Sequence, residues 1–267
     1  MKFLVIPLFA VFISLAHAED VFVPPSQFHN DSQQLGDSKV LEFWASHDYQ
    51  GSDNYQNDLR IRYYNPLEVG DWKGRIRIDA NIASNYNSIT TPNNVGQYSA
   101  GNMFFTVWGQ APEFLKPLGA LVGARVFFPF GNNGQWAAGP QVGWRFTPDV
   151  DGTLKVTDFS PLVRYIYGWD AKNNSFAVNP TQPVLARNLH FFPTIGFQLS
   201  PNTTLRLWDE NGAILNTAGN GWFVPIDAMV LHRLDKNWLV AIGASKQVVQ
   251  TYQQYDWSTY AKISFNF

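Results

Sequence analysis

Five histidines, His17, His29, His47, His190 and His232, are the side chains of this chain whose charge changes nearest neutral pH, so acid–base chemistry would start from them. In an extended strand the residue two places on shares a face with its predecessor, and a serine there would offer the imidazole a hydroxyl to activate. The residues two after the histidines are Glu19, Asp31, Tyr49, Phe192 and Leu234, so no such dyad is encoded. His47-Asp48 stands alone, without further metal-ligand spacing, and no Gly-rich loop ending in Lys-Ser or Lys-Thr is present. With no cysteine, disulfide and thiol chemistry are also excluded. The expectation is no catalytic residue, no metal and no cofactor; a lipid-modifying enzyme assembled from distant positions is the weaker alternative.

The arginines carry more information. Arg60 and Arg62 alternate with apolar residues in Leu-Arg-Ile-Arg-Tyr, and Arg75, Arg77 and Asp79 do so in Arg-Ile-Arg-Ile-Asp. Arg125, Arg145 and Arg164 follow one per alternating run, and Glu42, Asp48, Asp158 and Asp227 fall on the same phase. Were this phase to face lipid, each arginine near the midplane would cost roughly 2–4 kcal/mol. The charged phase must then point inward, either as an ion-paired network that fills the interior or as an arginine strip, centred on Arg60, Arg62, Arg75 and Arg77, that attracts anions.

The elements that position these residues are alternating runs. About twelve occur, over 40–50, 57–66, 72–83, 97–110, 118–130, 135–147, 154–168, 188–200, 202–208, 221–232, 236–248 and 256–267, most near the 9–11 residues of a tilted spanning strand. Short connections rich in Pro, Asp, Asn and Gly (65–71, 111–117, 148–152, 200–202, 233–236) alternate with a second set that is mostly longer (51–56, 84–96, 131–134, 169–187, 209–220, 249–255). Trp136, Trp169, Trp222 and Trp257 fall at one set of strand ends and Trp72, Trp144 and Trp238 at the other, an expected pair of aromatic girdles. Pro140, Pro161, Pro193 and Pro225 sit inside runs, where proline removes a ladder bond, so kinks or bulges are expected.

The whole chain has 267 residues, of which 45% are hydrophobic, 16% aromatic and 15% charged, and its mean hydropathy is −0.18. Beyond the start no run approaches a helical span. Lys2, the apolar stretch Phe3–Leu15 and Ala16-His17-Ala18 read as a cleaved signal peptide over 1–18. Residues 19–39, with Pro24-Pro25, read as a periplasmic leader or plug segment, and 40–267 as the barrel. The formal charge of −2 becomes −3 once Lys2 is removed, and neither value suggests nucleic acid.

The chain closes on Trp257, Thr259, Ala261, Ile263, Phe265 and Phe267 in one phase, with Ser258, Tyr260, Lys262, Ser264 and Asn266 in the other. This ending resembles the C-terminal strand of bacterial outer-membrane β-barrels, which implies that Phe265 and Phe267 form an assembly signal read by the barrel-assembly machinery. From about Asp58 onward the chain also resembles the putative outer-membrane transporters grouped under the phenol-degradation MetA pathway. The residues that carry this are Trp-Lys-Gly-Arg-Ile-Arg-Ile (72–78), Gly-Ala-Arg-Val-Phe-Phe-Pro-Phe-Gly (123–131), Gly-Gln-Trp-Ala-Ala-Gly-Pro-Gln (134–141) and Phe-Val-Pro-Ile-Asp-Ala (223–228). That resemblance implies a barrel passing small solutes, with aromatic ones as one option.

The combined expectation is an all-β chain: one closed antiparallel transmembrane β-barrel of about twelve strands in the outer membrane of a Gram-negative bacterium, both termini periplasmic. Its expected role is passive diffusion of small solutes, anionic or aromatic and hydrophobic, through a lumen lined by Arg60, Arg62, Arg75, Arg77, Asp79, Arg125, Arg145 and Arg164. Expected partners are outer-membrane lipid and lipopolysaccharide, the assembly machinery and the solute, with no nucleic acid. A surface barrel that binds a partner through its outer loops is the alternative.

Overall fold

The structure, a computed structural model, describes residues 35–88, 93, 96–115, 119–130, 135–148, 155–170, 185–252 and 254–267. The signal peptide and most of the leader lie outside them, as do the connections at 131–134 and 171–184. The strands are β1 (Val40–Gly51), β2 (Asn54–Val69), β3 (Trp72–Tyr86), β4 (Ser99–Gln110), β5 (Leu121–Phe128), β6 (Trp136–Gly143) and β7 (Lys155–Trp169). They continue with β8 (Arg187–Ser200), β9 (Thr203–Leu207), β10 (Ala213–Asn216), β11 (Gly221–Arg233), β12 (Trp238–Gln250) and β13 (Trp257–Asn266).

Apart from β9 and β10, consecutive strands pair antiparallel, and β13 pairs with β1 from Val40↔Asn266 to Tyr49↔Trp257, closing the sheet on itself. Closure leaves no edge strand to satisfy. β9 and β10 both lie between β8 and β11, one above the other, so thirteen strands make a closed barrel of twelve staves. The interruption between them, residues 208–212, leaves the wall. Residues 209–220 are therefore not one long loop, as the turn-rich Asp-Glu-Asn-Gly suggests; only 217–220 connect β10 to β11. The turn expected over 65–71 is likewise shorter: β2 and β3 pair as far as Val69↔Trp72, leaving Gly70-Asp71 with Gly70 at φ 59°.

Alternation sets which side faces in. On β1 Val40, Glu42 and Ser46 are buried while Phe43 is 47% exposed; on β2 Asp58, Arg62 and Tyr64 are buried while Leu59 and Ile61 are exposed. The interior is thus polar and the exterior apolar, the reverse of a soluble β-protein and the arrangement of a transmembrane barrel. The interior includes two small apolar clusters: Val40, Tyr64 and Trp108 with Leu35 and Leu121 at the end that carries the termini, and Met229, Leu231, Leu239, Ala241 and Tyr260 on the β11–β13 wall.

Glycine shapes both faces. On the outside Trp72 lies across Gly74 and Gly109, where an added Cβ would run into its ring, and donates from Nε1 to the Gln110 carbonyl at 3.1 Å. On the inside Gly243 leaves room for the Tyr260 ring to lie against β12. Of the strand prolines, Pro225 sits at a register shift, as expected for a bulge. Pro161 and Pro193 face each other in continuous register without one: the Pro161 carbonyl accepts from the Trp144 N–H on its other side, so the two prolines form a non-hydrogen-bonded pair that takes nothing from the β7–β8 ladder.

Candidate functional site in the barrel interior

Register alone brings four polar residues into one row of the inner wall. Ser264 lies opposite Glu42, Glu42 opposite Arg62, and Arg62 opposite Asp79, on β13, β1, β2 and β3. Arg62 donates from Nη1 to Glu42 Oε1 at 2.8 Å, and its Nε lies 3.2 Å from Asp79 Oδ1. Ser264 donates to the other oxygen of Glu42 at 3.1 Å. Arg77 grips Asp79 with two hydrogen bonds of 2.6 Å, so Asp79 is shared between two arginines. Lys262 Nζ stands 3.5 Å from Glu42 Oε2.

The row is completed from the far side of the lumen. Glu210, in the segment between β9 and β10 and five staves round from β2, accepts a fork of hydrogen bonds from Arg62 at 3.0 and 2.9 Å and a third from Lys262 at 2.9 Å. Bidentate charge-assisted bonds of this kind are the strong ones. The segment 208–212 is bent into the lumen at Trp208, whose φ of 51° is uncommon for a bulky residue. Trp208 is held by Nε1 donating to the Pro225 carbonyl at 2.9 Å and by Thr194 Oγ1 donating to its carbonyl at 2.8 Å. Asn211 Nδ2 donates to Asp227 Oδ1 at 2.9 Å, and Tyr260 donates to the same oxygen at 2.8 Å. Asp209 turns back to accept from Arg206 Nε at 2.8 Å; Arg206 Nη1 also donates to Asp158, which Ser160 bonds at 2.5 Å.

The sequence-selected arginines thus do not form an uncompensated strip. Arg60 donates to Asp58 at 2.7 Å, and its guanidinium lies 4.7 Å from the Trp44 ring centroid. Arg75 is fully buried beside Tyr64 and donates to the Ser38 carbonyl at 3.1 Å, so residues 35–38 rest against the inner wall at the end bearing the termini. Arg125 donates to Thr106 Oγ1 and Arg164 to Gln141 Oε1, each at 2.9 Å. Arg145 lies within electrostatic reach of Asp158. Sequence reasoning missed Glu210 and Asp209, assigned to a loop, and did not select Arg206, Lys262 or Trp44. The parity of Thr-Leu-Arg-Leu and of Ser-Thr-Tyr-Ala-Lys-Ile-Ser points Arg206 and Lys262 inward, which was the available signal.

At the end away from the termini, Tyr255 packs edge-on against Phe223 with centroids 4.9 Å apart and shares a 2.7 Å hydrogen bond with Ser245. Burial pushes its hydroxyl well above the usual tyrosine range, so it remains a neutral hydrogen-bonding group. On the outer surface Trp136, Trp169, Trp222 and Trp257 sit at this end, and Trp72, Trp144 and Trp238 at the other, all on the outward phase. Trp238 packs against Phe265 at 4.7 Å, Phe265 stacks on Phe267 at 5.7 Å, and Phe267 exchanges backbone hydrogen bonds with Lys39.

Among solved structures, an outer membrane channel from Pseudomonas putida F1 superposes over 89% of this chain and 98% of its own, with a TM-score of 0.57 at 11% identity. This chain has the fold of a bacterial outer-membrane β-barrel. The NanC porin (10% identity, 85% of this chain and 100% of that one, TM-score 0.48) and the β domain of the Bordetella autotransporter Brka (12%, 86% and 99%, 0.44) align less well. No family model and no curated protein matches the sequence.

Proposed function

We propose that this barrel is an outer-membrane channel for passive, cofactor-free diffusion of small solutes, with both termini on the periplasmic side. The observation that carries the reading is the inverted polarity of a closed wall. An apolar exterior bounded at both ends by outward tryptophans suits a bilayer, and a charged interior suits water and polar solutes. The lumen is governed by paired charges, with Arg62, Arg77 and Lys262 set against Glu42, Asp79 and Glu210. Phe265 and Phe267 are assigned to recognition by the barrel-assembly machinery, and the seven tryptophans to contact with lipid and lipopolysaccharide.

Planar-bilayer recording of the refolded protein under a salt gradient tests this reading. Discrete steps are expected, and Arg62→Gln with Arg77→Gln moves the reversal potential toward cation preference, because three carboxylates then remain with Lys262 as their nearest cation. Reversal potentials equal to wild type would remove the cluster from the conduction path. A folded barrel without steps would count against a channel.

A second reading has its own observation. Pro161 and Pro193 face each other, and Pro193 and Pro225 flank the level at which 208–212 departs from the wall. The two staves that flank the break each carry a proline without an N–H there, so the ladder is interrupted at this level, which gives a route by which a hydrophobic solute could leave sideways into lipid. A cross-link between β8 and β11 across the break, clean in a chain without cysteine, would abolish uptake by that route and spare ion conductance.

A further inference from the structure

The Glu210 carboxylate sits among more donors than it uses. Next to the Arg62–Glu210–Lys262 contact, on the inner faces of β1 and β2, Trp44 Nε1, Ser46 Oγ and Arg60 Nε are buried without a hydrogen-bond partner. Trp44 and Arg60 are register partners, and Trp44 is also the partner of Lys262. The Trp44 ring lies 5.3 Å from the Arg62 guanidinium and stacks on Tyr260 at 6.0 Å. Three orphaned donors therefore flank a cation pair beside a flat aromatic surface. Buried donors left unmade are costly, and an acceptor-rich ligand would relieve that cost.

We propose that this face of the lumen binds a small carboxylate solute, and that Glu210 is its built-in occupant and competitor. The charges define the ligand. With Glu210 in place, Arg62, Arg77 and Lys262 are matched by Glu42, Asp79 and Glu210; with Glu210 withdrawn, one cation is in excess, which fits a single carboxylate. The planar fork of Arg62 selects two coplanar oxygens, the geometry Glu210 already presents. Glu210 is also in a segment outside the strand register: 208–212 have no register pairing with β8 or β11, although Trp208 donates its N–H to the Asp227 carbonyl at 3.1 Å, and the adjoining strands carry Pro193 and Pro225 there. Hydrogen bonds that involve Trp208, Asp209 and Asn211, among them the Trp208 and Asn211 N–H groups to Asp227, hold the segment. An arriving carboxylate thus exchanges with a tethered one, whose effective concentration is on the order of millimolar or higher. The physiological meaning of this exchange rests on the channel reading; the site itself does not.

Isothermal titration of sodium benzoate, with sodium acetate as a second probe and sodium chloride at equal ionic strength as reference, into the refolded full-length barrel tests the site. Glu210→Gln is expected to bind benzoate at least about tenfold more tightly than wild type, because the tethered competitor is neutralised. Lys262→Met in that background is expected to lose the gain, and benzoate to bind more tightly than acetate because of the Trp44–Tyr260 surface. Equal affinity in wild type and Glu210→Gln, or a gain that survives Lys262→Met, overturns the proposal. Should Glu210→Gln fail to refold, Glu210→Asp, one methylene short of spanning both cations, should show a smaller gain, and its absence overturns the proposal equally. Bilayer current in the presence of benzoate separates the two claims. Binding without conductance in any form leaves the site and refutes the channel; conductance without carboxylate binding leaves the channel and refutes the site.

Discussion

Neutralising both ends of the Arg62–Glu210 contact should do less harm than the two single neutralisations added together. Arg62→Met leaves Glu42, Asp79 and Glu210 to share Arg77 and Lys262, an excess of one negative charge; Glu210→Gln leaves an excess of one positive charge. The double variant restores balance. Two unit charges about 4 Å apart attract by roughly 4 kcal/mol at an effective dielectric constant near 20. Desolvation of a buried pair takes much of this back, and charge-assisted bonds retain about 1.5–3 kcal/mol net. A coupling energy of about 2 kcal/mol is therefore expected across the cycle. Urea unfolding of the four proteins in the same lipid, followed by tryptophan fluorescence, measures it. With a slope on the order of 2 kcal/mol per molar, the midpoint of the double variant should lie about 1 M above the additive expectation. Additivity within about 0.5 kcal/mol, the behaviour of independent sites, would mean that 208–212 does not reach across the lumen and would refute the Arg62–Glu210 contact.

Other expectations concern the wall. Gly243→Val drives a side chain into the Tyr260 ring and should cost about 1–3 kcal/mol in the same unfolding assay, whereas Tyr260→Ala in that background removes the clash and should make the valine nearly neutral. Deleting Phe267 removes its stack on Phe265 and the backbone exchange with Lys39. It should lower the yield of assembled barrel in cells while leaving refolding in detergent intact; equal loss in both would assign Phe267 to stability alone.

The barrel was legible because its two signals are local. Period-2 alternation fixes the faces, and turn residues fix the ends, so Arg60, Arg62, Arg77 and Asp79 can be placed inward without knowing their neighbours. What they bind is another matter. Glu42 and Asp79 become partners of Arg62 only through strand register, and Glu210 only through the curvature that brings β9 and β10 across from β2. Asp-Glu-Asn-Gly has the composition of a turn, and nothing local distinguishes a turn outside the barrel from a segment bent into it. Lys262 falls on the inner phase without a role legible in the sequence, because a lone lysine on a strand gains one only from the carboxylates it meets.

The most direct test of the claim that 208–212 reaches into a conducting lumen is the single-channel conductance of the wild type against a variant lacking Asp209 and Glu210. β8 offers Phe192, Pro193 and Thr194 between its partners of β10 and β9, so removing two of the five residues at 208–212 leaves three and lets the stave run through in register. A folded variant with steps several-fold larger than wild type, and with greater anion preference from the cations released, is the expected result. Steps of unchanged size and selectivity, or silence from both folded proteins, would contradict it.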